Sequence, residues 1–414
     1  MNNRRIYILG GTQTDFSRNW ARENLSVYDM FADILKQGLE SSQLDAADIQ
    51  VGHVGNFVGD LFCGQAQMGG FFGHVDPALT YLPASRHEAA CASGSMAILS
   101  AMTDLESGRY DLACVMGIEM MRNVSGDQAA DNLRAAAWAD QEWTDTPYVW
   151  PCAFDDLMTV YKNTHGLKTE HVRAISEKNY GNAKFNANAQ SRKWQFSDNS
   201  FSNDPDANPV VTGSIHRQDC GQISDGAAVV FLANETRAKQ YAKQHNLDLA
   251  HIPYIKGWGH INAPMLMAEK LKLSETNGYI FPHVHQLFQQ TLKRAELTSM
   301  QDIGGLEVHD CFNITEYMIL DHAGLQKPGE IWKDIEAGTF TKQGALPVNS
   351  SGGLIGLGHP VGATGVRMLL DCYKQVTQTA GDYQIVAKDK PVNNMMTFNL
   401  GGSATTCVSF IVGK

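Results

Sequence analysis

The sequence predicts an α/β protein in which strands and helices alternate around a largely parallel sheet. Three observations carry this prediction. Short apolar runs bounded by glycines or charges alternate with helical periodicity over residues 5–118, and the alternation starts again at about residue 265. Both series place a Gly/Ser/Thr-rich turn before a long helix and then a strand, which indicates a duplication with pseudo-two-fold symmetry. Between the series, residues 122–221 are polar and lack sustained strand alternation.

The first series contains three expected strands and two expected helices. Residues 5–9 form a buried strand that ends at Gly10-Gly11, and Ser26 is a plausible N-cap for a helix over 26–44. The remaining expected elements are strands at 51–58 and 112–118, with a helix just after Cys91.

Strand character returns at residues 223–232, followed by a helix at 235–245. The second series adds helices at 284–295, 314–322 and 364–376, and strands at 306–308, 394–400 and 405–412. We therefore divide the chain into an N-terminal half (1–118 plus 222–264), an inserted loop domain that faces the substrate (119–221), and a C-terminal half (265–414).

Composition excludes several functional classes. A formal charge of -11 and a pI near 5.7 argue against nucleic acid, which needs a basic face. Eight cysteines without a CxxC pair indicate neither a zinc ribbon nor a disulfide framework, so we expect no metal. The apolar run near the start is too short for a signal peptide, and no window is long enough to span a membrane. We therefore expect a cytoplasmic protein.

A candidate nucleophile lies in the segment H-E-A-A-C-A-S-G-S, which places Cys91 among small residues just before an apolar helix. Small neighbours let a substrate approach the sulfur. The free N–H groups and positive dipole end of a helix would favour the thiolate. Taken alone, the segment fits a small buried hydrophobe better, since that is the commonest role of a free cysteine.

Three segments of the second half favour a catalytic role for Cys91 over a purely structural one. His309 and Cys311 follow an expected strand, where α/β folds build their sites. His359 lies in a loop with six glycines in fourteen residues and suits a base that deprotonates a thiol. The turn from Asn399 to Ala404, which contains Gly401 and Gly402, could offer glycine N–H groups to an oxyanion. Each segment alone could be structural, but together they predict Cys/His acyl transfer in one cleft.

These motifs resemble those of the thiolase superfamily. A-C-A-S-G-S around Cys91 resembles the nucleophile motif, and G-H-P-V-G-A-T-G at 358–365 matches the GHPxGxTG signature. S-D-G-A-A at 224–228 resembles the strand that follows the loop domain. H-D-C-F at 309–312 stands in place of NEAF and resembles the thiolases of the sterol carrier protein X group.

The resemblance implies a duplicated thiolase fold of two βαβαβαββ halves, layered αβαβα, with the loop domain inserted in the first half. It also implies that Cys91 carries the acyl group and His359 activates it. Cys311 would exchange the proton on the carbon alpha to the thioester, whose carbonyl His309 and His359 would polarise. The N–H groups of Cys91 and Gly401 would hold the tetrahedral oxyanion.

The implied activity is cleavage of 3-ketoacyl-CoA or the reverse condensation. Coenzyme A and acyl-CoA would be substrates rather than permanent cofactors, and the family implies a homodimer or homotetramer. Two other hypotheses remain. A ketoacyl-synthase-like condensing enzyme would use Cys91 with histidines but would not require a second thiol at Cys311. A non-catalytic relative would only bind acyl-CoA or act as a scaffold.

Overall fold

A computed structural model describes residues 5–276, 278–386 and 392–414. Nine strands form one sheet in the order β3-β2-β4-β7-β1-β8-β11-β10-β9, and β5 and β6 form a separate hairpin. The strands are β1 (Ile6–Gln13), β2 (Val51–Gly55), β3 (Ala84–His87), β4 (Leu112–Glu119), β5 (Val210–Thr212), β6 (Ile215–His216), β7 (Gly226–Ala233), β8 (Tyr254–Asn262), β9 (Leu306–Val308), β10 (Asn394–Gly401) and β11 (Thr406–Gly413).

Helices lie between most of these strands, so the predicted α/β class is confirmed. They are α1 (Val27–Ser42), α2 (Gly59–Cys63), α3 (Phe72–Val75), α4 (Ser93–Ser107), α5 (Gly126–Leu133), α6 (Val149–His165), α7 (Thr169–Ala183), α8 (Glu235–Gln244), α9 (Met267–Lys272), α10 (Pro282–Arg294), α11 (Asn313–Asp321), α12 (Trp332–Glu336), α13 (Gly353–Leu357) and α14 (Thr364–Thr377). Ser26 and Asp29 form a capping box at α1, as the sequence predicted. Within the described ranges, no helix combines the length and apolarity needed to cross a bilayer.

The duplication is visible in the strand order. The first five strands of the nine-stranded sheet, taken along the chain, are arranged β3-β2-β4-β7-β1, which is 3-2-4-5-1 when numbered within their half. The second half contains β8, β9, β10 and β11. A parallel bridge from Leu306 to Val348 occupies the position of a short edge strand beyond β9. When the Val348 segment is counted as the third strand of this half, the order from that edge is again 3-2-4-5-1.

The sheet is mixed, which corrects the expectation of a largely parallel one. β2 runs parallel to β3 and β4, and β9 runs parallel to β10. β7 and β11 are antiparallel to both of their neighbours. Residues 402–405 join β10 to β11, and such a short connection permits only antiparallel pairing. At the equivalent position of the first half, residues 120–225 are inserted between β4 and β7.

Strand β8 lies within the stretch that the sequence analysis assigns to the N-terminal half. It pairs with β11 from Tyr254 to Asn262, but with β1 only at Tyr254 and Ile255. These pairings make β8 the first strand of the second series. The other proposed boundaries stay predictions.

The layers place two helices at the centre of the molecule. α4 and α14 pack against each other, and α14 also contacts strands of both halves. α1 covers β1 and β7 on one outer side, and α10 covers β8 and β11 on the other. The result is the expected αβαβα layering. The N-terminal ends of α4 and α14 meet inside it, because a Cβ on Gly94 would lie 2.7 Å from the Gly362 carbonyl oxygen.

Candidate active site

Cys91 lies in a single 3₁₀ turn, Ala90–Ala92, which leads directly into α4. Ala90 adopts a φ of 50°, a left-handed conformation that is unfavourable for a residue with a Cβ. Ser93 holds this turn, since its Oγ donates to the Ala90 carbonyl at 2.6 Å and accepts from the Ala89 N–H at 2.9 Å. The strained turn therefore presents the thiol at the start of the central helix.

His359 is held on two sides by hydroxyl groups. Its backbone N–H donates to Ser224 Oγ at 2.9 Å, and its Nδ1 lies 2.7 Å from Thr364 Oγ1. The Thr364 hydroxyl donates its own hydrogen to the Pro360 carbonyl at 3.0 Å. Nδ1 must therefore carry the ring proton, which leaves Nε2 as a free acceptor. Burial, reinforced by Arg367, lowers the pKa of His359 to about 3, so the ring is neutral.

His309 carries its proton on the opposite nitrogen. Ser95 Oγ donates to Asn399 Oδ1 at 2.9 Å, so the Asn399 amide group faces His309 Nδ1 at 3.0 Å and donates to it. His309 then has its hydrogen on Nε2, which is buried without a hydrogen-bond partner among the described residues. Burial, with smaller effects of His359 and Arg367, holds the pKa of His309 well below its usual value.

The two rings and the Cys91 thiol form one cluster. The Cys91 Sγ and one ring nitrogen from each of His309 and His359 all lie within 4.8 Å of one another. The rings meet edge to face, with their centroids 5.1 Å apart. A cysteine with two histidines could hold a metal ion. Because His309 presents an N–H, the cluster as folded suits a proton acceptor and a hydrogen-bond donor directed at a substrate oxygen.

Cys311 is the second thiol of the site. It follows β9 and lines the same cavity as Cys91 and His359. Burial raises the pKa of Cys311 well above its usual value, and the nearby Cys91 raises it further. Gly221 lies against this residue, and its N–H donates to the Cys311 carbonyl at 2.8 Å.

Asp310 anchors the segment that carries His309 and Cys311. Its carboxylate accepts the backbone N–H groups of Leu354 and Ile355 at 2.5 and 3.2 Å, and the Asn179 side-chain amide at 2.7 Å. These hydrogen bonds connect the end of β9 to α13, in the glycine-rich segment before His359, and to α7 of the loop domain.

Glycines of the β10–β11 turn complete the site. Burial raises the pKa of the Cys91 thiol to about 12, although the backbone N–H of Gly402 acts in the opposite direction. Gly401 packs against the backbone of the nucleophile turn, where a Cβ would lie 2.3 Å from the Ala89 carbonyl oxygen. The structure therefore brings the predicted turn to Cys91, and of its two glycines Gly402 lines the cavity.

A largely apolar cavity of about 350 Å³ opens onto both thiols. Its wall from the loop domain includes Trp150 and Phe154, and Phe154 packs against Phe312 with the rings tilted by 37° and their centroids 4.6 Å apart. The Trp150 indole N–H donates to the Leu133 carbonyl at 2.9 Å, which fixes that ring. Such a cavity suits an apolar group attached to a reactive carbonyl.

Sequence reasoning missed several supporting residues. Glu119 accepts the backbone N–H groups of Phe57, Val58 and Gly362, and so joins the end of β4 to the His359 loop. Ser224 was noticed only as part of a motif, and Gly402 only as the neighbour of Gly401. A polar residue at the end of an otherwise apolar strand was the available signal for Glu119.

Comparisons with known proteins agree with this architecture. The chain matches the families "Thiolase, N-terminal domain" over residues 6–200 and "Thiolase C-terminal domain-like" over residues 267–414. It is 28% identical over 413 residues to an "Acetyl-CoA acetyltransferase" of Methanothermobacter thermautotrophicus, covering 99% of this chain and 100% of the relative. It is 25% identical over 397 residues to the Homo sapiens "Sterol carrier protein 2", covering 92% of this chain and 68% of the relative.

Among solved structures, "Ltp2-ChsH2(DUF35) aldolase" superposes with a TM-score of 0.77 at 19% identity, covering 99% of this chain and 97% of that chain. At that identity the likeness shows a shared fold. The two thiolase domain families account for most of the sequence, and the strand order shows the matching duplication. The chain therefore belongs to the thiolase superfamily.

Proposed function

We propose that this protein is a thiolase that cleaves 3-ketoacyl-CoA with coenzyme A, or condenses two acyl-CoA molecules in reverse, through an acyl group carried on Cys91. The observation that carries the proposal is the arrangement of one cavity. Two thiols line it, and two neutral histidines with opposite tautomers meet beside Cys91. Carbon–carbon cleavage needs a nucleophile and a separate proton donor, and this site offers both.

In the cleavage direction, His359 Nε2 takes the proton from Cys91 while the sulfur attacks the 3-keto carbonyl. The bond between carbons 2 and 3 then breaks. Its electron pair becomes the enolate of a CoA thioester, whose oxygen accepts a hydrogen bond from His309 Nε2–H. The Cys311 thiol gives its proton to carbon 2, which releases acetyl-CoA and leaves the acyl group on Cys91.

The second half-reaction restores the enzyme. Cys311, now a thiolate, takes the proton of an incoming coenzyme A thiol, and the resulting thiolate attacks the Cys91 thioester. Cys91 leaves as a thiolate and recovers its proton from His359. Each thiol thus ends protonated, and no redox or metal cofactor enters the balance. Coenzyme A and its thioesters are the proposed substrates, with no permanently bound cofactor.

The remaining parts of the proposal concern the surroundings of the enzyme. We place it in the reducing cytoplasm, which suits eight free cysteines. A homodimer or homotetramer is the proposed assembly, by analogy with the family. A net charge of -11 supports small-molecule substrates rather than nucleic acid.

The rival hypotheses differ from this one at Cys311. A ketoacyl-synthase-like enzyme would not need the second thiol, and a non-catalytic binding protein would need neither. The position of Cys311 on the same cavity as Cys91 favours the two-thiol reaction.

The test follows each half-reaction separately in Cys91→Ala, Cys311→Ala and Cys63→Ala. Cys63 is a matched control, since it is a half-buried free cysteine outside the cavity. Acetyl-CoA is added, and mass spectrometry locates the acetyl group. We expect the adduct on Cys91 in the wild type, in Cys63→Ala and in Cys311→Ala, since coenzyme A can leave as a thiolate without a proton from Cys311. We expect turnover of 3-ketoacyl-CoA only in the wild type and Cys63→Ala.

Three outcomes would overturn the proposal. Normal turnover of Cys311→Ala would favour the condensing enzyme. Absence of any Cys91 adduct would favour a binding protein. Cleavage of 3-hydroxyacyl-CoA without an adduct would indicate an aldolase.

A further inference from the structure

A buried lysine beneath the β10–β11 turn has no part in the steps above. Lys270, in α9, is 0% exposed. Its Nζ donates to Ser403 Oγ at 2.6 Å, to Thr405 Oγ1 at 2.8 Å and to the Met265 carbonyl at 2.9 Å. All three acceptors are neutral. A buried ammonium is costly unless its environment compensates for lost hydration, so this arrangement calls for an explanation.

The two hydroxyl groups that Lys270 holds belong to the turn that carries Gly402. That turn is conformationally demanding, because Gly402 and Ala404 both have positive φ, 60° and 62°. Thr405 closes the turn by donating its N–H to the Gly401 carbonyl at 3.0 Å. A second clamp comes from His283, whose Nε2 lies 2.9 Å from the Ala404 carbonyl.

The opposite side of the same turn faces the nucleophile. Gly401 packs against the nucleophile turn, since a Cβ on it would lie 2.3 Å from the Ala89 carbonyl oxygen, and Gly402 lines the cavity together with Cys91. The Gly402 N–H lowers the pKa of the Cys91 thiol, and a Cβ on Gly402 would lie 2.9 Å from the Ala136 carbonyl oxygen. The turn is therefore confined between the loop domain and Lys270, and a small shift of its backbone would move the donor away from the sulfur. A hydrogen bond to an ionised group depends strongly on its geometry.

We propose that Lys270 is a positioning residue for Cys91: by holding Ser403 and Thr405, it fixes the Gly402 N–H against the sulfur and so stabilises the thiolate. This inference deepens the proposed function and rests on it for its effect on turnover. Its effect on the reactivity of the Cys91 thiol can be measured whether or not the protein turns over 3-ketoacyl-CoA.

The charge balance around Lys270 agrees with such a role. Burial lowers the pKa of Lys270 to about 8, against the opposing effect of Glu142. Glu142 Oε1 accepts the Met267 N–H at 2.5 Å, at the start of α9. The same helix thus links this acidic residue of the loop domain to the ammonium that supports the turn.

The experiment measures alkylation of Cys91 by iodoacetamide at pH 8, with peptide mapping by mass spectrometry to separate Cys91 from the other thiols. The variants are Lys270→Met and Thr405→Val, which removes one acceptor of the ammonium with little change in volume. Thr405→Ser keeps the hydroxyl group. Lys256→Met is a matched control, since Lys256 is a partly buried lysine that bonds Asn394 away from the turn.

We expect Lys270→Met to lower the alkylation rate about tenfold, as befits a lost hydrogen bond to a thiolate, and to lower kcat with little change in KM. Thr405→Val should show the same loss in part, and Thr405→Ser and Lys256→Met should match the wild type. If Lys270→Met does not fold, Thr405→Val carries the test.

Folded Lys270→Met or Thr405→Val with wild-type alkylation would overturn the inference, because a purely structural lysine would change melting temperature alone. Loss of alkylation in a protein that never turns over 3-ketoacyl-CoA would support the inference while refuting the proposed function.

Discussion

Asn399→Leu tests whether His309 acts as a hydrogen-bond donor. Asn399 donates to His309 Nδ1 at 3.0 Å and thereby keeps the ring proton on Nε2, the atom that would face the enolate oxygen. Leucine has a similar volume but cannot donate. His309 Nδ1 and Ser95 Oγ would both lose their buried partner, and the ring would be free to turn or to exchange its tautomer.

The size of the effect follows from those lost bonds. A buried polar group left without its partner costs about 1–3 kcal/mol, so we expect kcat to fall about 5- to 150-fold with KM nearly unchanged. His309→Ala removes the donor itself, and loss of an oxyanion donor typically costs about 10²–10³ in kcat. The predicted order is therefore wild type, then Asn399→Leu, then His309→Ala.

The assay is steady-state thiolysis of a 3-ketoacyl-CoA, run together with thermal unfolding. Asn394→Leu is the control, because Asn394 lies on the same strand but bonds Lys256 and the Asp302 carbonyl instead of the site. Asn399→Leu with wild-type kcat would refute the reasoning on the tautomer. A folded Asn399→Leu that is slower than His309→Ala would show that Asn399 acts by another route.

Three further predictions follow from the site and its packing. Because burial raises the pKa of the Cys91 thiol to about 12, alkylation of the resting enzyme should keep rising through pH 10; a plateau near pH 7 would contradict this. Gly362→Ala should lower the free energy of unfolding by about 1–3 kcal/mol in denaturant titrations, because the added Cβ would lie 2.6 Å from two carbonyl oxygens. Gly181→Ala is the control and should not destabilise the protein, because a Cβ there has no atom within 4 Å. Phe154→Ala enlarges the cavity and should shift kcat/KM toward bulkier acyl groups across a substrate panel; an unchanged preference would place the acyl group elsewhere.

The sequence was sufficient to predict the fold class and the duplication, and the segments it singled out meet at one cavity. Glycine-rich turns before helices, and polar residues after apolar strands, are local patterns, so they can be read along the chain. The strands β3 and β8 were missed for a related reason. β3 is a short, polar edge strand, and β8 includes Lys256 and His260, so neither shows a clean apolar run.

The chemistry of the site was only partly predictable. The sequence indicated His309 and His359, but their opposite tautomers depend on Asn399 and Thr364, and hydrogen-bond directions are set by the three-dimensional arrangement. Lys270 was equally hidden, because its partners Ser403 and Thr405 are more than 130 residues away. Long-range polar contacts of this kind leave no periodic signal.

The inserted segment 120–225 leaves and rejoins the sheet at a paired position, since Glu119 lies opposite Gly226 in the β4–β7 ladder. The sheet thus brings the two ends of the segment together, and each doubling of its length adds only about 0.6 kcal/mol of closure entropy. In the other half, four residues span the same gap. The part of the cavity wall that this segment supplies can therefore change in length without displacing the strand ends beside which Cys91, Cys311 and the two histidines lie.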